Sequence, residues 1–192
     1  MIYQHKIAGP DTCRNWITHF DQVLEEGRVG VQRINEQVRR SKVRFLTKGD
    51  AATDVIVHGI FQLIEFHVSQ MNQSLGFNLY PADSFQFSRY DSDIEATYDW
   101  HTDSDFLDPN VSTRKLSASI LLNEGFKGGE FSLKVGEKTH LFSEEATQEE
   151  KKPNLTCGDI LIFPSFLSHR VSPVFEGIRY SIVTWIMGPR WR

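Results

Sequence analysis

The chain has 192 residues, of which 40% are hydrophobic and 24% are charged. These values are typical of a soluble globular protein, and the length favours one domain over two small ones. The net charge of -4 gives no electrostatic reason to expect a nucleic-acid or anionic-membrane partner. No apolar run approaches the roughly 20 residues of a membrane span. The start, MIYQHKIAGPD, lacks an apolar stretch, so we expect no signal peptide.

The two cysteines, Cys13 and Cys157, are too few for a disulfide framework and do not form a Cys-x-x-Cys pair. We expect both to be buried thiols in a reducing compartment. The sequence therefore predicts a cytoplasmic protein with a single domain spanning residues 1–192.

The first part of the chain, residues 1–80, is predicted to be a helical support region. Residues 11–26 carry apolar side chains near helical spacing. Residues 50–76 predict a longer helix with one apolar stripe, and Gly76 lies beyond its last turn. The basic stretch 28–47 between them indicates a short strand around KVRFL.

From residue 85 the hydrophobic period changes from about 3.6 residues to 2. Eight short segments have this pattern: FQFSRY, ATYDWH, KLSASILLN, GEFSLKV, KTHLF, GDILIFP, HRVSPVF and IRYSIVTWIM. They predict an α+β, mainly β fold in which residues 85–189 form a double-stranded β-helix (jelly-roll) core. The N-terminal helices are expected to pack on one outer sheet face. The polar segment 143–154 is predicted to be an exposed loop.

The stretch YDWHTD places His101 and Asp103 two residues apart. On a strand both side chains would face the same way, offering an imidazole and a carboxylate to one metal ion. The pair alone is weak evidence, because a solvated histidine in a polar turn explains it equally well.

His169 is a candidate third ligand, because it precedes a valine-rich strand that could reach the pair from across a barrel. Two histidines and one carboxylate on one side of a metal are typical of non-haem iron oxygenases. They leave positions open for a bidentate cosubstrate and dioxygen. A catalytic zinc site with the same ligands stays open as an alternative.

Arg179 lies ten residues after His169 on the last predicted strand. Strand alternation puts four side chains on one face: Arg179, Ser181, Val183 and Trp185. A guanidinium inside a barrel is costly unless an anion meets it, and a carboxylate is its natural partner. The alternative is an arginine at a strand edge that pairs with a surface acid.

Residues 85–189 resemble the 2-oxoglutarate and iron(II)-dependent oxygenases, in their prolyl 4-hydroxylase-like branch. They are most similar to the PKHD-type hydroxylases of bacteria and phages. The resemblance rests on YDWHTD, on LSASILLNEGFKGGEFSL and on GDILIFPSFLSHRVSPVFEGIRYSIVTW.

The resemblance implies six site residues. They are His101, Asp103 and His169 as iron(II) ligands, and Arg179, Ser181 and Tyr90 as contacts of 2-oxoglutarate. Trp185 lies where the family often has an aromatic residue lining the pocket. If they face inward, Val183, Leu122 and Ile162 would belong to the apolar wall around the site.

The resemblance also implies an enzyme that hydroxylates a C–H bond with 2-oxoglutarate and O2, releasing succinate and CO2. Its substrate would be a prolyl or other amino-acid residue in a peptide or protein, or an amino acid, and ascorbate would support turnover. No nucleic-acid or membrane partner is expected, and the oligomeric state stays open.

Two alternatives to this function remain. One is a cupin-type metalloenzyme without 2-oxoglutarate, although the His-x-His pattern with a following Glu is lacking. The other is a non-catalytic jelly-roll binding module.

Residues 91–108 contain seven acidic residues and no Lys or Arg. They form either a rim that favours a cationic substrate or an exposed hairpin with solvated charges. Asp105 and Asp108 are the residues that would test the rim. The loop 104–115 is a candidate substrate lid.

Overall fold

The structure is a computed structural model that describes residues 2–27, 38–104, 112–136 and 148–190. Its helices are α1 (Pro10–Phe20), α2 (Lys48–Ala51) and α3 (Val55–Leu75). Its strands are β1 (Tyr3–Lys6), β2 (Glu25–Glu26), β3 (Arg39–Arg40), β4 (Lys42–Thr47), β5 (Ser84–Asp91), β6 (Thr97–His101), β7 (Thr113–Leu121), β8 (Lys127–Gly128), β9 (Phe131–Gly136), β10 (Gln148–Lys151), β11 (Asp159–Pro164), β12 (His169–Val171), β13 (Val174–Glu176) and β14 (Ile178–Gly188).

Two antiparallel sheets form the core. The larger sheet has seven strands in the order β1-β11-β7-β14-β5-β4-β2, and the smaller has five in the order β10-β9-β12-β6-β3. Apolar side chains from both sheets meet between them, including Leu161 and Phe163 of the larger sheet and Phe131 and Leu133 of the smaller. Two facing sheets with this content confirm the predicted jelly-roll class.

The helices α1 and α3 cover the outer face of the larger sheet, as predicted. Their buried side chains share one hydrophobic cluster with outward-facing residues of β5, β7, β11 and β14. In α3 the buried positions recur every three or four residues: Val57, Ile60, Phe61, Ile64, His67, Val68 and Met71. This stripe attaches the helix to the sheet, since each large apolar side chain so buried contributes about 1.5–3 kcal/mol.

The predicted helix at residues 50–76 is divided into two in the structure. The short helix α2 comes first, and α3 begins after Asp54, whose carboxylate accepts the backbone N–H groups of Ile56 and Val57. This N-cap satisfies donors that have no partner within the helix. Gly76 ends α3 in the left-handed conformation, with a φ of 63°, as its position in the sequence indicated.

The predicted helix at residues 11–26 is too long. In the structure α1 ends at Phe20, and Val23 is 73% exposed. The next residue, Asp21, accepts a hydrogen bond of 2.7 Å from the Tyr180 hydroxyl and pairs with Arg89 at 3.0 Å. These contacts hold the chain beside the larger sheet, where the short strand β2 then pairs with β4.

The segment 143–154 was predicted to be an exposed loop, and its residues 143–147 lie outside the described residues. Residues 148–151 form β10, which pairs with β9 through partners such as Glu149 and Val135. The predicted strand KTHLF lies outside the described residues, and so does most of the candidate lid. The strand predicted around KVRFL is confirmed as β4. The strands β1 to β4 add to the sheets from a region predicted to be mainly helical.

None of the helices in the described parts of the chain is long and apolar enough to cross a membrane.

Candidate active site

Three predicted ligands meet where the smaller sheet faces the larger one. His101 ends β6 and His169 begins β12, and the two are direct partners across these antiparallel strands. The Nε2 atom of His169 lies 3.3 Å from Asp103 Oδ2, and Nε2 of His101 lies 3.8 Å from Asp103 Oδ1. One ligand atom from each residue lies within 4.8 Å of the others. Within the described ranges, this group alone is compact enough to hold a metal ion.

Hydrogen bonds turn the two imidazoles towards a common point. Nδ1 of His101 lies 2.7 Å from the carbonyl oxygen of Asp99, and Nδ1 of His169 lies 2.9 Å from that of Leu167. A carbonyl oxygen only accepts, so each Nδ1 carries the proton and each Nε2 keeps a free lone pair. In this tautomer Nε2 can bind a metal ion while the hydrogen bond from Nδ1 fixes the orientation of the ring.

Asp103 lies beyond the end of β6 and is fixed by the larger sheet. Its backbone N–H donates to the carbonyl of Ser165 at 3.0 Å, and the Ser117 hydroxyl donates to Oδ2 at 2.7 Å. Burial alone would raise the pKa of Asp103, but the adjacent imidazoles of His169 and His101 and the hydroxyl of Ser117 hold it well below its usual range. The carboxylate is therefore ionised and ready to bind a cation.

The pKa of His101 is lowered to about 4, first by burial and then by the neighbouring His169. At neutral pH its imidazole is therefore uncharged. A neutral imidazole is the form that binds a metal, so this ligand needs no deprotonation before an ion enters.

A β-bulge in β6 adds a residue that sequence reasoning missed. Tyr98 pairs with Val171 while His101 pairs with His169, so β6 has one more residue than β12 over this interval. Residues three apart on a regular strand face opposite sides, but here both rings face inward and stack at 3.5 Å and 13°. The guanidinium of Arg39 lies 4.7 Å from the other face of Tyr98. The stack supports the ring of His101.

The opposite end of the pocket holds Arg179. This residue is 2% exposed and lies in the middle of the sheet, because β14 pairs with β5 on one side and β7 on the other. Its Nη1 donates to the Ser181 hydroxyl at 3.1 Å, and its Nε has no hydrogen-bond partner. The alternative of a strand-edge arginine paired with a surface acid is therefore wrong.

No carboxylate among the described residues forms an ion pair with Arg179. Its guanidinium lies 5.6 Å from the ring of Tyr90, its direct partner on β5. Burial lowers the pKa of Arg179, because removing the charged guanidinium from water costs free energy that no described carboxylate offsets. Since Arg179 lines the same pocket as the three ligands, the pocket is suited to an anion beside a metal.

All six predicted site residues line this one pocket, together with Val183 and Trp185. The expectation for Leu122 and Ile162 is wrong, because both belong to the cluster under the helices. Among the pocket and supporting residues that sequence reasoning missed, four carry polar groups or an aromatic ring close to the site: Arg39, Gln86, Tyr98 and Ser117. The serine and glutamine lie on predicted strands, but only strand pairing shows that they face the pocket.

The acidic rim is not supported by the acids that the structure describes. Asp91 hydrogen-bonds with Arg89, and none of Asp91, Asp93, Glu95 and Asp99 lines the pocket. Asp105 and Asp108 lie outside the described residues.

The fold and the site define a class of protein: a double-stranded β-helix with two histidines and one carboxylate arranged to hold a metal. A profile of the 2OG-Fe(II) oxygenase superfamily matches residues 85–187, which is more than half of the chain. The chain belongs to this superfamily.

Known relatives agree with this membership. A PKHD-type hydroxylase of Rippkaea orientalis is 30% identical over 106 residues, which are 54% of this chain and 42% of the relative. The chain thus spans about two-fifths of the length of this curated relative.

Solved structures show the same fold. A prolyl-4-hydroxylase of Pseudomonas putida has a TM-score of 0.72 at 21% identity, covering 97% of this chain and 92% of that one. A prolyl hydroxylase of Trichoplax adhaerens, in complex with a hypoxia inducible factor peptide fragment, has a TM-score of 0.72 at 18% identity. That alignment covers 98% of this chain and 83% of the other.

Proposed function

We propose that the chain is an iron(II)- and 2-oxoglutarate-dependent dioxygenase. It hydroxylates a C–H bond of a prolyl or other amino-acid residue in a peptide or protein, with release of succinate and CO2. The observation that carries this proposal is the buried guanidinium of Arg179, which pairs with no carboxylate of the described residues and lies in the pocket of the metal-ligand group. A cupin-type enzyme that does not use 2-oxoglutarate has no use for this cation.

The residues present fit iron(II) and its cosubstrate. Nε2 of His101, Nε2 of His169 and the carboxylate of Asp103 would hold the metal, leaving other coordination positions open. When bound, iron(II) with 2-oxoglutarate supplies the chemistry that activates O2, placing one oxygen atom in succinate and the other in the substrate.

The other side chains of the pocket orient the cosubstrate. Arg179 would bind the far carboxylate of 2-oxoglutarate through its unpaired Nε–H, Ser181 would add a hydroxyl, and Tyr90 would close the side of the cavity. Phe131 and Phe163 pack against His169 and limit the access of water to the reacting atoms.

The comparisons support the substrate class. One similar structure is a prolyl hydroxylase in complex with a peptide fragment, and curated relatives are PKHD-type hydroxylases. A peptide or protein substrate is the proposal that follows, with ascorbate as a supporting reductant. We also propose one domain over residues 1–192 and a cytoplasmic location, in which the buried free thiols of Cys13 and Cys157 persist.

An anaerobic absorption titration tests the cosubstrate assignment. Iron(II)-loaded protein titrated with 2-oxoglutarate should develop a weak visible charge-transfer band that saturates, and Arg179→Met should need far more cosubstrate. Admission of air should then give succinate. Iron binding without the band would favour the cupin-type alternative, and failure to bind iron would favour a binding module.

A further inference from the structure

Two more polar atoms of the pocket are buried without a partner. Gln86 is 2% exposed, and its Nε2 donates to the Ser88 hydroxyl at 2.6 Å while its Oε1 has no hydrogen bond. The indole Nε1 of Trp185 is also buried and unpaired. Both residues line the pocket. A buried donor or acceptor left unpaired is costly, so such atoms at a binding site indicate groups that a ligand satisfies.

The two residues lie side by side on the inner face of the larger sheet. Gln86 is the direct partner of Val183, and Trp185 follows two residues later on β14, so the pair are diagonal neighbours. Trp185 is also the direct partner of Ser117, whose hydroxyl donates to Asp103. Trp185 therefore lies beside the serine that holds a metal ligand, and Gln86 lies diagonally across from Trp185 on the neighbouring strand.

The cosubstrate does not complete this pair. At neutral pH 2-oxoglutarate carries only acceptor oxygens, which suit the N–H groups of Arg179 but leave Gln86 Oε1 unpaired. That oxygen needs an N–H or O–H donor, and the indole N–H of Trp185 needs an acceptor. A peptide group has both, as a donor N–H and an acceptor C=O.

We propose that Gln86 and Trp185 recognise a backbone amide of the substrate. The amide N–H donates to Gln86 Oε1, and an amide carbonyl accepts from Trp185 Nε1. This inference rests on the proposed function and narrows its substrate to a residue within a peptide chain, since a free amino acid has no backbone amide.

An aromatic ledge, formed by Phe45 and Trp185, extends the site beyond the pocket. Phe45 is 57% exposed, is the direct partner of Gln86, and stacks on Trp185 with ring centroids 6.5 Å apart. The guanidinium of Arg114 lies 4.1 Å from the same indole. A peptide held by the amide pair would place a neighbouring residue on this ledge, where apolar contact adds to binding.

The test compares amides with esters. The probes are acetyl-amino acid N-methylamides with the common side chains. Each is matched to the methyl ester of the corresponding acetoxy acid, which lacks both backbone N–H groups but keeps the shape. Binding is followed on protein loaded with redox-inert zinc(II) and 2-oxoglutarate, through the 15N–1H resonance of the Trp185 indole. The best amide should bind about tenfold more tightly than its ester, and its indole resonance should move downfield.

Two variants assign the contacts. In Gln86→Met the amide and the ester should bind within twofold of one another, because the acceptor is lost and the volume is kept. Trp185→Phe lacks the indole, so its binding is followed by isothermal titration calorimetry. This variant should bind both probes about tenfold more weakly and retain the amide preference, because only the donor to the carbonyl is lost.

The wild-type comparison is decisive even if a variant fails to fold. Equal affinity of amide and ester, binding by no probe, or an amide preference that survives in Gln86→Met would each overturn the inference. The affinity for 2-oxoglutarate, measured in the same samples, distinguishes a failure of the proposed function from a failure of the amide assignment. Loss of the proposed function would appear as failure to bind 2-oxoglutarate, whereas a wrong amide assignment leaves that binding intact.

Discussion

Replacing Arg179 by methionine should make the ligand-free protein more stable. The guanidinium is 2% exposed, donates one hydrogen bond to a neutral hydroxyl, and has an unpaired Nε. Apolar replacement of buried charges is often stabilising by about 1–4 kcal/mol, and here no described carboxylate would be left behind without its partner. For a chain of this length, each kcal/mol shifts Tm by about 2–4 °C. A rise of about 2–16 °C is therefore expected without ligand.

With 2-oxoglutarate the difference in stability between the two proteins should narrow, and it should reverse if the buried charge costs less than about 2.7 kcal/mol. A ligand at 100 times its Kd stabilises the native state by about 2.7 kcal/mol, so the metal-loaded wild-type protein should gain about 5–11 °C. Arg179→Met should gain almost nothing at the same concentration, because the anion has lost its counter-ion. Thermal unfolding followed by intrinsic fluorescence, with and without 2-oxoglutarate, measures both effects under anaerobic conditions.

Arg89→Met is the matched control. Arg89 lies on β5 next to Tyr90, but its side chain is 28% exposed and pairs with Asp21 and Asp91. Its loss leaves two carboxylates without a cation and should destabilise the protein by about 1–3 kcal/mol while the 2-oxoglutarate shift persists. The reasoning fails if ligand-free Arg179→Met unfolds at a lower temperature than the ligand-free wild-type protein, or if the variant keeps the full 2-oxoglutarate shift.

Three further predictions concern the metal ligands and the core. Tyr98→Leu should weaken iron(II) binding about tenfold through loss of the ring that supports His101, whereas Tyr98→Phe should restore it, as measured by competition with a chromophoric chelator; equal affinities in the two variants would refute the role of the stack. Ser117→Ala should lower the affinity for iron(II) by about 10–100-fold in the same assay, because Asp103 loses a hydrogen bond. An unchanged affinity would contradict this role of Ser117. Ile64→Ala, under the helix α3, should cost about 2–5 kcal/mol in urea unfolding with the affinity for 2-oxoglutarate retained; a loss of that affinity would show that the helix side also shapes the pocket.

The face of β14 could be predicted from the sequence because this strand is regular through the site. Its register with β5 is unbroken from Ile178 to Thr184, so simple alternation places Arg179, Ser181 and Val183 on one side. The same reasoning failed for Ile162 on β11. Every residue of β11 is buried, and its sequence is apolar on both faces at the centre of the strand. The alternation of apolar and polar residues therefore does not show which face meets the helices.

The strand β7 shows why the hydrophobic rule misleads at a binding site. Its apolar residues Leu116, Ala118 and Ile120 face the helices, whereas Ser117 and Ser119 alternate with them. Ser117 and Ser119 therefore face the space between the sheets, which a hydrophobic-inside rule would reserve for apolar side chains. In a pocket for polar ligands, polar side chains face the space between the sheets and apolar side chains face the helices. This reversal explains why Leu122, which packs with the helices, was assigned to the pocket wall.

The meeting of His101 and Asp103 was predicted, but for an incomplete reason. The strand β6 ends at His101, so alternation along a strand does not place Asp103. Its position comes from the hydrogen bonds of its backbone to Ser165 and of its carboxylate to Ser117, both contributed by the larger sheet or its adjoining turn. Asp103 is thus the point at which the histidines of the smaller sheet and the polar face of the larger sheet are fixed relative to each other. Ser117 lies on β7, next to the strand that carries Arg179, yet its hydroxyl donates to the metal ligand Asp103. Replacing Ser117 should therefore weaken metal binding.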